Sequence, residues 1–127
     1  EFRYYANDLL KPEIEIQSIE DIPWMPIKGY PDGCYERILS RDAHNPGNYT
    51  RLARNEPGVR TTQSMTHDFW EEIYILDGYL IGRDIYQAKG YYGCRPPGMI
   101  HGPVRTPVGF LALEFRYDGD DWFSLNK

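Results

Sequence analysis

Histidine is scarce in this sequence, with His44, His67 and His101 the three in 127 residues, and cysteine is scarcer, with Cys34 and Cys94 alone. Two cysteines without CxxC spacing, in a chain long enough to bury its own core, read as free thiols rather than a disulfide framework, so a reducing cytoplasm is the expected setting. A basic surplus is missing too: 14 Lys and Arg stand against 19 Asp and Glu, a net charge of −5. That leaves nothing to neutralise phosphates, which argues against nucleic-acid binding, and no basic amphipathic stretch addresses a membrane surface. No segment approaches the roughly eighteen apolar residues of a membrane span. The opening "EFRYYANDLL" lacks the basic start and apolar stretch of a signal peptide. Sustained helical periodicity is absent as well.

What the chain has is aromatic and turn-forming residues. Hydrophobic residues make up 41% and aromatics 15%, with 11 tyrosines. Turn signals such as Asp32-Gly33, Pro57-Gly58, Asp77-Gly78, Lys89-Gly90 and Pro97-Gly98 separate the short segments "CYERILSRD", "YTRLARN", "EEIYILD", "YLIGRDIY", "YYGCR" and "GFLALEFRY". Several of these alternate apolar with polar residues, as half-buried strands do, and their spacing predicts an antiparallel sandwich or barrel. The sequence divides into residues 1–33, an edge strand and extended arm broken by Pro23, Pro26 and Pro31, and residues 34–127, the barrel. Trp24 is expected to pack on the barrel or on a partner subunit. One domain carries everything.

The stretch "GCRPPGMIHGP", from Gly93 to Pro103, places one of the three histidines just past a Pro-Pro-Gly corner. Extended back to Gly90, it reads Gly90, five residues, Pro96, one residue, Gly98, two residues, His101. Upstream, "HDFWEEIYILDG" supplies His67, three residues, Glu71, six residues, Gly78. Together these resemble the two conserved motifs of the cupin superfamily, G(X)5HXH(X)3,4E(X)6G and G(X)5PXG(X)2H(X)3N, over roughly residues 35–117. The pattern is most similar to the small single-domain group related to the ChrR C-terminal cupin and to dihydroxyacetophenone dioxygenase.

The resemblance implies an all-β fold, an antiparallel jelly-roll β-barrel, forming a homodimer with a divalent metal ion in its mouth. It assigns the metal to His67, Glu71 and His101, with Fe(II) first and Mn, Ni or Zn as alternatives. Glu72 competes for the carboxylate place, but Glu71 alone has the six-residue spacing to Gly78. "DFW" is expected to make a short hairpin connection that sets His67 across from Glu71 on neighbouring strands. Two positions depart from the motifs: Arg105 stands for the final Asn, and Met65 stands for the first His. A thioether is a poor ligand for hard or borderline divalent ions. A rival register, counted from Gly58, would put Ser64 and Thr66 at the two His places; the first register keeps a true ligand.

Arg95 and Tyr74 are expected to complete the site as substrate-facing catalytic residues. Tyr91, Tyr92, Trp70 and Phe69 are further pocket candidates, and Arg60, Arg83, Arg105 and Arg116 are further anion-binding ones. His44, in a turn-rich loop, is left out, and Cys94 is given no role. Three functions follow in order: metal-dependent oxidation of a small enolisable or aromatic oxygenated substrate, dioxygenase-type; a ligand- or metal-sensing module without turnover; and metal-free acid–base isomerisation or epimerisation.

Overall fold

The computed structural model of the chain describes residues 11–15, 17–118 and 123–126. Among the described residues ten strands follow in chain order: β1 (Met25–Pro26), β2 (Cys34–Arg41), β3 (Tyr49–Asn55), β4 (Ser64–His67), β5 (Trp70–Gly82), β6 (Tyr86–Ala88), β7 (Tyr92–Arg95), β8 (Val104–Arg105), β9 (Phe110–Tyr117) and β10 (Phe123–Asn126). All pairings are antiparallel, in the order β1-β2-β3-β9-β5-β6, with β7 and β8 also on β5 and a separate β4–β10 pair. This curled sheet is the jelly roll the motifs imply.

β5 makes the curl. Its first half lies between β7 and β9, from Glu71 against Arg95 and Arg116 to Tyr74 against Tyr92 and Leu113. Its second half turns to β6 and β8. The change falls at a register shift between Ile75 and Asp77, a bulge that bends the strand. The expected turn at Asp77-Gly78 is therefore part of one continuous strand. Gly78 has φ +72°, and a Cβ there would sit 2.0 Å from the Gly109 carbonyl oxygen, so this glycine serves a close crossing of two backbones.

The alternation read from the sequence sorts the faces. Inward go Tyr49, Arg51 and Ala53 of β3, Glu71, Ile73 and Ile75 of β5, and Ala112, Glu114 and Arg116 of β9, all buried. The interior has two ends. One is apolar, with Ile73, Ile75, Leu80 and Ala112 packed against Ile85, Val104 and Phe110; each fully buried Ile or Leu contributes about 1.5–3 kcal/mol. The other is charged.

The arm departs from expectation in part. Ile14 and Ile19 are exposed, and a 3-10 turn occupies Ile19–Asp21, so the described part of this run is not a strand. The edge strand is β1, which pairs Met25 with Glu36. Trp24 does pack on the barrel, with the Arg37 and Arg54 guanidiniums 4.4 and 4.6 Å from its ring. Cys34 is buried and Cys94 exposed, both as free thiols, and burial pushes the Cys34 thiol up to about 11. Among the described residues no helix is long and apolar enough to cross a membrane.

Candidate metal centre

His67 ends β4 and His101 follows the Pro-Pro-Gly corner, where Gly98 takes the positive φ (+81°) that the turn demands, as Gly90 (+87°) does in the earlier turn between β6 and β7. A β-bridge joins Met65 to His101: the Met65 N–H donates to the His101 carbonyl at 2.7 Å, and the His101 N–H returns to Met65 at 2.9 Å. The two imidazoles meet with their Nε2 atoms 3.0 Å apart, and one ligand atom from each of His67, Glu71 and His101 lies within 4.8 Å of the others. The "DFW" hairpin is not how this happens. β4 pairs with β10 and β5 with β7 and β9, so His67 and Glu71 converge across the barrel interior.

The His67 ring is held from two sides. Its Nδ1 lies 2.9 Å from the Phe69 carbonyl, an acceptor, so Nδ1 carries the proton and Nε2 presents a bare lone pair. Phe69 itself is buried and stacks on the imidazole at 3.9 Å, nearly parallel. In the metal-free protein His101 Nε2–H must then donate to His67 Nε2. Burial lowers the pKa of both histidines, that of His101 to about 4 with help from the Arg95 charge, so both rings are neutral near pH 7 and fit to bind a cation.

Glu71 is clamped. Arg95 donates to Oε1 at 2.7 Å and Arg116 to Oε2 at 2.9 Å, from the strands on either side of β5. Burial alone would raise the carboxyl pKa; the Arg116 and Arg95 guanidiniums override it and hold Glu71 well below the usual carboxylate range. Arg116 also donates to the Tyr49 hydroxyl at 2.6 Å and the Tyr30 hydroxyl at 3.3 Å, and lies 4.6 Å over the Phe69 ring. Next to this, Arg51 bridges Glu114 and Glu36 at 2.7 Å each. The interior thus carries a belt of alternating charge.

The residues fit a transition ion. Metal–nitrogen bonds of about 2.1 Å put two ligands on one ion roughly 2.9–3.4 Å apart, which brackets the imidazole separation. Each Glu71 oxygen accepts one guanidinium N–H and keeps a second lone pair. Glu71 and His101 open on a cavity of about 80 Å3, which Met65, Arg95, Tyr30 and Ile73 also line.

Of the sequence candidates, His67, Glu71, His101 and Arg95 come together. Tyr74 does not: it is exposed on the outer face of β5, one position out of phase with Glu71 and Ile73, and so leaves the catalytic set. Arg60, Arg83 and Arg105 are exposed as well. Glu72 faces outward, where it accepts the Tyr92 and Tyr117 hydroxyls. Arg51, Glu114 and Tyr30 were not singled out from the sequence; the period-2 pattern of "YTRLARN" and "LEFRY" carried the signal for the first two.

No curated protein sequence matches this chain. Its fold is shared with a protein of Nostoc punctiforme provisionally named a dioxygenase (TM-score 0.77, 20% identity, covering 86% of this chain but only 39% of that one). It is also shared with an acetylacetone dioxygenase from Acinetobacter johnsonii (0.66, 19%, 81% and 73%) and the polyketide cyclase RemF from Streptomyces resistomycificus (0.70, 18%, 91% and 87%). By sequence, residues 13–113 match the ChrR cupin-like domain, and the chain belongs to that family.

Proposed function

We propose that this cupin domain binds a transition-metal ion through His67, His101 and Glu71 and oxidises a small oxygenated organic molecule with dioxygen. The observation that carries the reading is the 3.0 Å approach of two neutral Nε2 atoms beside a buried carboxylate. A metal with open positions supplies Lewis acidity and a place for dioxygen and substrate to meet. The chain supplies the rest. The Phe69 carbonyl fixes the His67 tautomer, Arg95 and Arg116 keep Glu71 ionised and oriented, and Ile73, Leu80 and Phe110 give the cavity a dry apolar wall.

The cavity of about 80 Å3 is far smaller than the ~300–1,000 Å3 pockets of drug-sized ligands, so the substrate is small. Compact β-diketones, the class to which the Acinetobacter enzyme's named substrate belongs, are the first compounds to assay, followed by catechol-like ones. The test begins with metal content. Protein purified without chelator is expected to carry one ion per chain and the His101→Ala variant none, with dioxygen uptake lost in parallel. Equal metal content in both forms overturns the site. Metal without dioxygen uptake, together with ligand-dependent thermal stabilisation, would make it a sensing module instead.

A further inference from the structure

The ion-binding end of the barrel has an unusual charge balance. Arg51, Arg95 and Arg116 face Glu36, Glu71 and Glu114, each engaged at 2.7–2.9 Å, so the belt sums to zero before any ion enters. Glu71 is formally the anionic ligand, yet its charge is already matched by two guanidiniums that stay beside it. The donors left uncompensated are uncharged: the two imidazoles and, at the place of the first motif histidine, the thioether of Met65.

The backbone puts that thioether on the same face as the two imidazoles. Met65 and His67 are two residues apart on β4 and share a face. Met65 and His101 are directly opposed in an antiparallel bridge, which sends both side chains to the same side. Met65 lines the same cavity as His101 and Glu71, and its sulfur is 4.0 Å from the Tyr30 hydroxyl at the cavity wall. Its unbranched side chain adapts readily.

We propose that Met65 is a metal ligand and that the centre selects copper(I), a soft monovalent ion, over iron(II) and zinc(II). This rests on the reading of His67 and His101 as metal ligands. Thioether and imidazole together suit copper(I), whereas borderline divalent ions gain little from a thioether. The charge balance acts in the same direction, because a neutral belt offers a cation little net attraction to offset its desolvation, a cost about four times larger for a dication than for a monocation of the same size. Iron(II), first in rank from the motifs, is the ion this arrangement disfavours.

Competition titrations on the whole purified chain test the proposal, with copper(I) under anaerobic, ascorbate-reduced conditions against the chromophoric chelator bicinchoninate, and with zinc(II) and iron(II) in parallel. A Cys94→Ser protein is run alongside, since the exposed thiol is itself a soft ligand. The expected result is one copper(I) per chain in both proteins, bound more tightly than either divalent ion. Met65→Leu, which conserves volume, should weaken copper(I) by at least about 10-fold and leave zinc(II) and iron(II) within about threefold. Met65→His should tighten the divalent ions. X-ray absorption should record sulfur scattering at copper that Met65→Leu removes.

Zinc(II) or iron(II) bound more tightly than copper(I), and lost in His101→Ala, overturns the copper assignment and leaves the metal centre standing. Copper(I) binding that survives Met65→Leu overturns the thioether ligand, and binding lost in Cys94→Ser assigns the copper to the thiol. No ion bound in any arm overturns both this proposal and the metal reading beneath it.

Discussion

Glu71 and Glu72 are neighbours on one strand and live in opposite worlds. Glu71 points inward, sees one guanidinium from each flanking strand, and is driven to greater acidity. Glu72 points outward and accepts two tyrosine hydroxyls, and there the influence runs the other way: the carboxylate raises the pKa of Tyr92 and Tyr117. The contrast teaches that pleat phase, not residue type, decides whether a carboxylate becomes a ligand or a surface tie. A one-residue slip of β5 would exchange the two.

The contrast can be broken most sharply at Glu71. Replacing it by Gln strands two guanidiniums, one deeply buried, and is expected to lower the unfolding free energy by about 3–5 kcal/mol in urea titrations. A loss below about 1 kcal/mol would mean the belt is not held as described.

Acid should separate the two faces next. A histidine whose folded pKa lies below its ordinary value binds a proton more readily when unfolded. The stability that His101 contributes is therefore complete above about pH 6.5 and withdrawn as pH falls toward 4, between its ordinary value of 6.5 and its folded value of about 4. Glu71, likewise depressed, adds a loss that begins only below its ordinary 4.5. Chelator-treated protein should thus lose stability from pH 6.5 downward, and His101→Gln should flatten the upper part of that slope. A slope unchanged by the substitution would place the titrating group elsewhere. The smallest effect belongs to the outer face: Glu72→Gln should change stability by no more than about 1 kcal/mol, because its tyrosine partners can turn to water.

Much of this was readable beforehand, for reasons that differ by residue. His101 was legible because a Pro-Gly corner needs residues of special backbone freedom at fixed spacing, and that need leaves a pattern in the letters. His67 and Glu71 were legible as a motif, and so was their meeting, but its route was not, since which strands pair is set by contacts far apart along the chain. The long β5 was hidden by Asp77-Gly78, which reads as a turn until the crossing backbone at Gly109 gives the glycine another purpose. Arg51, Glu114 and Arg116 lay on a clean period-2 face, but charged residues are usually exposed, and only their mutual pairing reverses that rule. Tyr74 failed for the opposite reason: being aromatic suggested a pocket, while its phase said outside.

Arg116 leaves one more consequence. Its donors run in three directions, to Glu71 on β5, to Tyr49 on β3 and to Tyr30 in the arm, while its flat face covers the Phe69 ring that steadies His67. A single planar group thus ties two strands of the sheet to the arm. Unseating the arm and disturbing the imidazole are coupled through one side chain.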